Sequence, residues 1–499
     1  MPESTQGRRQ RIVDATLWSL VATTMFFGLW SGSLLNTEDA LYADMARTAW
    51  RSGDFLDFRW HGVVLYDKPP VLFLLVGGLG GVFGFSDFIV RIPGALFGLL
   101  SLYLLWGLAR ELGFNRRVQR VSILLLGSSF TFMFHSRRVM VDPLFVAAML
   151  GFLWAWVRCV QQENSKRLAC IAGLCLGMAV LMQWVLFVLP LLAALAWHMS
   201  SMRRPRASHF LWAIGAMLLI CLPWHMIQTL RHGAEFWEAY AGIQVAEGAA
   251  QGLSGTSNAF LYARLFGQTD PFFMAAAMPG FAAIFLVRDE TLRRIAAPWL
   301  MAFLVIAPLQ LSGTKMPHYL LSVVPFLALG TAAGWDQLME RKRFAWIGLA
   351  ILLLLSFMVS VLPDVVRPNY SSGTKDACAF GQKHNAPVLT VNTYNVAANW
   401  YCDVATPMRT DNEQFYRLQT SADRMAPSQA IETMQTAELM GLIAQNPRSP
   451  IITSPGYAPV LEKQLAMTHR MKQYLDYRLV PGFHDDVIPT IVFYPVDGP

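Results

Sequence analysis

The sequence predicts an all-α polytopic membrane protein of about eleven transmembrane helices, flanked by juxtamembrane or re-entrant helices and ending in a small α/β domain. Three observations carry this. Of 499 residues, 54% are hydrophobic and only 15% charged, where a soluble domain is about a quarter charged. Mean hydropathy is +0.38. The apolar residues gather in blocks of roughly 16 to 23, close to the roughly 20 that cross a hydrocarbon core as helix. Charge sits in short clusters between those blocks, so the net +7 belongs to no single basic face; low-complexity disorder, collagen and nucleic-acid partners are excluded.

Spans are expected near 13–35, 88–109, 118–135, 141–158, 168–182, 184–200, 209–228, 271–287, 295–311, 318–335 and 345–362. The first apolar run, Ile12 to Leu35, is too long for a cleavable signal peptide and lacks a small-residue cleavage site. An apolar stretch over 70–85 is ambiguous. Counting it as re-entrant leaves eleven spans and puts the clusters at Arg8–Arg11, Arg110–Arg120, Lys166–Arg167, Arg203–Arg206, Arg288–Arg294 and Arg341–Arg343 on one side, which the positive-inside bias makes the cytoplasm. Counting it as a twelfth span would divide them. The N-terminus is then cytoplasmic, and 36–87, 229–270 and a tail from 363 face outward. Residues 1–362 form the transmembrane domain and 363–499 an outer α/β domain, with short strands at Pro387–Val391, Pro450–Thr453 and Val487–Val496 and a helix at Ala430–Ala444. No internal repeat is visible, which disfavours a transporter built from two similar halves.

Polar residues at the outer face need a further reason. The first outer loop opens with Glu38 and Asp39 at the start of an amphipathic pattern that includes Tyr42; adjacent carboxylates there suit a divalent cation or a proton acceptor, although acids favour any helix's first turn. The loop closes on Tyr66-Asp67-Lys68-Pro69-Pro70, where two prolines hold Lys68 at headgroup level, facing a lipid phosphate or simply snorkelling. Arg137 and Arg138 precede Asp142, and Lys315 precedes His318 and Tyr319. Cations on this side run against the positive-inside bias, and a bound anion would supply the reason. The long loop adds His232, Glu235, Phe236, Trp237, Glu238, Tyr240 and Glu247, an aromatic and acidic mix suited to a sugar. Of six cysteines, Cys159, Cys170, Cys175 and Cys221 lie in or at the edges of spans. Cys378 and Cys402 are the only pair in the outer domain and would form a disulfide in an oxidising periplasm. Carboxylates for a base or metal, cations for a phosphate and an apolar access for a lipid make the inventory for group transfer from a lipid-linked phosphate. A flippase or transporter of lipid-linked anions, and an envelope scaffold, are the alternatives.

In motif order, residues 10 to 325 resemble the GT-C glycosyltransferases of the aminoarabinose transferase and protein O-mannosyltransferase type (glycosyltransferase family 39). The resemblance rests on Glu38-Asp39-Ala40-Leu41-Tyr42-Ala43-Asp44, Lys68-Pro69-Pro70, Arg91-Ile92-Pro93, Arg138 with Asp142, Pro223-Trp224, and Lys315 with Tyr319. It implies the GT-C fold and an inverting transfer of a hexosyl or pentosyl unit from undecaprenyl phosphate to an acceptor at the periplasmic face of the bacterial inner membrane. Lipid A or lipopolysaccharide is the first acceptor implied and a protein hydroxyl the second. In that reading Glu38 or Asp39 is the base, and Lys68, Arg138 and Lys315 meet the departing phosphate. Tyr42, Asp142, His318, Tyr319 and Trp237 support the acceptor or sugar. No cofactor is required; a divalent cation, if used, would fall to Glu38, Asp39 and Asp142. Two departures stand out. The family's acidic pair is usually Asp then Glu, so Glu38 occupies the place of the catalytic aspartate, and Gln183-Trp184-Val185 stands where the family often has Lys-Gly-Pro.

Overall fold

The computed structural model describes residues 5–35, 38–60, 63–66, 69–162, 165–247, 260–312, 316–342, 344–362, 373–391, 396–402, 441, 443–453, 456, 458–474 and 490–496. Up to residue 362 it is helical, apart from a two-stranded ribbon of β1 (Arg59–Trp60) and β2 (Val63–Val64). The helices are α1 (Thr5–Phe26), α2 (Glu38–Ser52), α3 (Val71–Phe83), α4 (Asp87–Glu111), α5 (Arg116–Gly127), α6 (Phe130–Ser136), α7 (Asp142–Gln161), α8 (Lys166–Val180), α9 (Val188–Ser201), α10 (Ala207–His232), α11 (Ala234–Trp237), α12 (Leu261–Thr269), α13 (Pro271–Ala282), α14 (Asp289–Leu311), α15 (Val324–Arg341) and α16 (Ala345–Leu355).

Among the described residues, five helices are long and apolar enough to cross a membrane: Asp87–Glu111, Asp142–Gln161, Trp184–Ser201, Ala207–His232 and Glu290–Leu311. A sixth is reached if α12 and the helix from Pro271 to Leu286, bent by 114° at their junction, count as one broken span. The other expected spans are helical but short, cut off early or interrupted: α8 has 15 residues and α1 ends at Phe26. The block near 118–135 breaks at Ser128-Ser129 into α5 and α6, and the block from 318 begins as a 3₁₀ turn, Pro317–Ser322, before α15. The ambiguous 70–85 stretch is α3, of 13 residues. At about 1.5 Å per residue such a helix falls well short of a core about 30 Å thick. It packs against α2, as a juxtamembrane helix would.

The bundle is organised around α7, whose apolar stretch is almost wholly enclosed by protein, against α4, α8 and α9. By contrast α10 presents Leu211, Leu219 and Leu230 outward, the surface a bilayer covers. Small residues bring α8 and α10 together: a Cβ on Gly173 would collide with the Ala213 backbone, and one on Gly177 with that of Met217.

Beyond residue 372 the chain changes to α/β. A four-stranded sheet of β3 (Leu389–Val391), β4 (Ile451–Thr453), β5 (His469–Tyr474) and β6 (Thr490–Pro495) runs in the order β3-β4-β6-β5, with β3 parallel to β4 and the other pairs antiparallel. Alternation along the strands buries both faces. Ile452, Val492 and Tyr494 pack under α17 (Gly373–Lys383) and α18 (Val396–Cys402), while Ile451, Ile491 and Phe493 pack under α19 (Ala458–Leu465). The expected strands contain β3, β4 and β6. Unexpected is β5, His-Arg-Met-Lys-Gln-Tyr, an edge strand buried only at its two ends and too polar to signal itself. Most of the helix expected over Ala430–Ala444 lies outside the described residues. Cys378 on α17 and Cys402 on α18 are joined by a disulfide.

Candidate active site

The two adjacent carboxylates at the start of α2 have different fates. Asp39 is buried, 1% exposed. One of its oxygens accepts from the Leu35 amide at 3.0 Å and the other from the Val139 amide at 2.7 Å, while the Arg91 guanidinium lies 4.0 Å away. Asp39 is therefore a clamp: it closes the turn into α2 and joins it to the segment between α6 and α7, a hundred residues on. Glu38 is half-buried and makes no hydrogen bond or ion pair with a described residue. Of the pair, Glu38 is the carboxylate with lone pairs to spare for a ligand.

Arg91 builds the floor of this turn. It donates to the carbonyls of Leu29, Ser31 and Ser33 at 3.0, 3.1 and 2.7 Å. These carbonyls belong to the largely buried chain leaving α1, where no helix or sheet partner reaches them, so a planar guanidinium with five donors is the side chain that satisfies several at once. Arg137 does the same one turn earlier, donating to Thr24, Met25 and Phe27. Arg138, 3% exposed, lies over the Phe134 ring at 3.8 Å. Its carbonyl touches Gly94 of α4, where any Cβ would collide with the Ser136 and Arg138 oxygens. Glycine at 94 thus lets α4 carry Arg91 against the Arg137–Asp142 turn.

The turn is anchored from two further directions. Asp142, at the first position of α7, accepts from Gln183 Nε2 at 2.8 Å. Asp270, at the sharp bend between α12 and α13, caps α6: it accepts from the Phe130 and Thr131 amides at 2.6 and 3.1 Å and from the Thr131 hydroxyl at 2.6 Å. His135 on α6 faces His318, ring centres 6.4 Å apart, and His318 abuts Tyr319. Tyr42 is a core residue, edge-on to Phe73 at 5.7 Å. Trp237 belongs elsewhere, its indole donating to Thr229 and its ring beside His225 in the aromatic cluster of α10 and α11.

A second polar cluster holds the first loop. Asp57, buried, accepts from His232 at 2.9 Å and from Arg231 at 3.0 Å, and the other His232 nitrogen lies 3.3 Å from the Tyr66 hydroxyl. Burial alone would raise the Asp57 carboxyl, but the bond and charge of His232, with Arg231 and Gln228, bring it below its ordinary value. Burial, with Glu235 nearby, pushes Tyr66 up to about 12.

The structure thus brings Glu38, Asp39, Arg138 and Asp142 onto one set of joined turns. Lys68 and Lys315 lie outside the described residues. Of the three carboxylates that would hold a divalent cation if one is used, Asp39 accepts from two amides, Asp142 accepts from Gln183, and Glu38 has no described partner. Among the described residues, no three His, Cys, Asp or Glu side chains are placed to hold a metal. Gln183, in the position where the resembling family often has lysine, gives Asp142 a neutral partner. Sequence reasoning missed Asp57, Asp87 and Asp270, and named Arg91 only as part of a motif. Of these only Asp270 carried a local signal, an acid directly before a proline in Asp270-Pro271.

Comparisons with known proteins bear on the fold and the family likeness. Residues 67–227 of the 499 match the family profile for dolichyl-phosphate-mannose-protein mannosyltransferase. ArnT from Cupriavidus metallidurans, in its crystal structure bound to undecaprenyl phosphate, superposes with a TM-score of 0.68 at 16% identity, covering 96% of this chain and 97% of that one. The chain therefore shares the fold of that protein, the GT-C fold that the motifs implied. Within that class the likeness is to the aminoarabinose transferases, and the resemblance read from the motifs is borne out. The undecaprenyl phosphate-alpha-4-amino-4-deoxy-L-arabinose arabinosyl transferase of Edwardsiella ictaluri is 27% identical over 218 residues, which is 42% of this chain and 39% of that protein. An uncharacterised protein of Aquifex aeolicus is 24% identical over 347 residues, 66% of each. The matches thus span from about two fifths to about two thirds of these relatives' lengths.

Proposed function

We propose that the chain is an integral glycosyltransferase of a bacterial inner membrane that moves a sugar from an undecaprenyl phosphate carrier to an acceptor at the periplasmic face, with lipid A or another lipopolysaccharide sugar as the acceptor. The observation that carries this is the 2.7 Å bond from the Val139 amide to Asp39. It seats the start of the Glu38 helix against the Arg138–Asp142 turn, so that Glu38, next in the chain to Asp39, and the buried Arg138, next to Val139, are brought to one corner of the bundle.

In this reading the acceptor hydroxyl gives its proton to Glu38 as its oxygen attacks the anomeric carbon. The bond from that carbon to the phosphate oxygen breaks, and the electron pair departs on the polyprenyl phosphate. Attack opposite the leaving group inverts the anomeric centre. Arg138, with Lys68 and Lys315, meets the developing phosphate charge, each partner being worth about 10²- to 10³-fold in rate. In this reading the chain crosses the membrane eleven times, with its N-terminus in the cytoplasm and residues 363–499, as a separate domain, in the periplasm.

Glu38→Gln separates the roles. It should lower transfer by about 10²- to 10⁴-fold, the range for a lost general base, while donor binding and folding persist. Transfer from a purified undecaprenyl-linked donor, followed by mass spectrometry of lipid A, reads both the rate and the acceptor. Wild-type rates in Glu38→Gln would remove Glu38 from the mechanism, and unchanged lipid A in cells lacking the gene would remove the acceptor.

A further inference from the structure

The C-terminal α/β unit reaches the same turns from above, through residues that no functional reading has used. Asp87, at the first position of α4 and four residues before Arg91, is 9% exposed and takes three donors: Lys375 at 2.7 Å, the Trp400 indole at 2.9 Å and the Tyr401 hydroxyl at 3.2 Å. The Tyr401 oxygen in turn accepts from the Leu34 amide at 2.5 Å. Leu34 adjoins Leu35, whose amide holds Asp39. Nine residues along α2 from Glu38, Arg47 donates to the Trp400 and Asn399 carbonyls at 2.9 and 2.6 Å and lies over the Trp400 ring at 4.6 Å. Both sides of the Glu38–Asp39 corner, the chain at Leu34 and the helix leaving it, are thus held by α18.

We infer that the α/β unit is a positioning element for the Glu38 corner, seated through Asp87, Arg47, Trp400 and Tyr401. The Cys378–Cys402 disulfide keeps it seated by joining the two helices that supply the contacts. Lys375 and Cys378 lie on α17; Trp400, Tyr401 and Cys402 lie on α18. Tyr401 is the link whose direction is fixed: it donates to Asp87 and accepts from Leu34, and burial, with the Asp87 charge, raises its phenol so that it keeps its proton. The effect on transfer rests on the function proposed above; the seating itself does not.

The first experiment is Tyr401→Phe in the full-length protein, which removes one oxygen and leaves the ring. Hydrogen exchange at the Leu34 amide should quicken about fivefold, the loss of one ordinary hydrogen bond. A displaced corner should lower kcat by up to about 10²-fold, with KM for the undecaprenyl-linked donor unchanged. The second experiment treats folded wild-type protein with dithiothreitol, whose two thiols become a disulfide as Cys378 and Cys402 become thiols. Exchange over residues 29–52 should rise and kcat fall, and the double variant Cys378→Ser, Cys402→Ser should show both changes without reductant. Asp87→Ala should match Tyr401→Phe, while Lys375→Arg, which keeps the ion pair, should restore wild-type behaviour. Unchanged exchange over 29–52 in Tyr401→Phe and after reduction would overturn the inference. A change confined to KM would also overturn it, since the unit would then be binding donor. If the wild type catalyses no transfer, the function proposed above fails, and the exchange measurements still decide the seating.

Discussion

Three arginines at one end of the helical bundle and three at the other are used in opposite ways. At the end where α5 begins, Arg116 and Arg117 are more than half exposed and pair with Asp14 and Asp336, and Arg120 also pairs with Asp14. At the end where α2 begins, Arg91, Arg137 and Arg138 are 4% exposed or less. Arg91 and Arg137 spend their donors on backbone carbonyls of the chain leaving α1. In water a guanidinium is already solvated, so an ion pair there adds little. In the interior the same group must be fully partnered, and it then organises whatever it touches. Net charge of +7 is therefore a poor guide to function. The solvated arginines bear on orientation in the membrane, and the buried ones on the shape of the site.

That contrast is broken most directly by Arg91→Ala. It would strand the Leu29, Ser31 and Ser33 carbonyls and leave Asp39 without its cation, costing about 3–5 kcal/mol. Arg91→Lys should rescue little, because one ammonium cannot reproduce the planar fork. Thermal unfolding followed by size-exclusion chromatography in detergent reads the loss. A shift no larger than that of Arg117→Ala would show that the buried arginines do no more than the exposed ones.

Next in size is the difference between the adjacent carboxylates. Asp39→Asn can accept from only one of the Leu35 and Val139 amides and turns an N–H toward the other, at about 1–3 kcal/mol. Glu38→Gln, with no described partner to lose, should leave the unfolding temperature in place. Equal destabilisation of the two would erase the distinction between clamp and base.

The Asp57 cluster gives the contrast a pH axis. The folded carboxyl lies below its ordinary 3.8, so its contribution to stability is complete above that value and is lost as pH falls through the folded one. His232→Ala removes the partner that most lowers it, should cost about 1.5 kcal/mol at neutral pH, and should move the onset of acid unfolding upward. Unfolding temperatures between pH 3 and 7 for wild type and variant check this. An unmoved onset would mean that Arg231 alone holds the carboxylate.

How much of this was legible in the sequence depends on range. Apolar blocks announced nearly every helix, because about 20 consecutive apolar residues have few other uses. The breaks at Ser128-Ser129 and at Asp270 were not visible, since each depends on the other: Asp270 caps the helix that the serines begin. Glu38 and Asp39 could be picked out by adjacency, but not told apart. The amide that commits Asp39 belongs to Val139, and no local pattern reports a partner a hundred residues away. Arg137 and Arg138 stood out as cations on an unexpected side, yet Arg137 proved to serve carbonyls rather than a ligand. Asp87 gave no signal, since an acid in a helix's first turn is unremarkable until Lys375, Trp400 and Tyr401 are found bonded to it.

The smallest effect expected is also the sharpest control. Arg120 and Asp14 meet at 2.7 Å, each about one fifth exposed, at the end of the bundle where cations are solvated. A double-mutant cycle with Arg120→Ala and Asp14→Ala should give a coupling of roughly 0.2–1 kcal/mol. Raising the salt to 1 M, where the screening length falls to about 3 Å, should shrink it further. The same salt should leave the Arg91→Ala penalty almost untouched, because counterions cannot enter a site 2% exposed. If instead the Arg120–Asp14 coupling reached that of a buried pair and ignored salt, α1 and α5 would be joined by a desolvated contact. The difference between the two ends of the bundle would then be one of degree, and the buried arginines beside Glu38 would lose their claim to a special role.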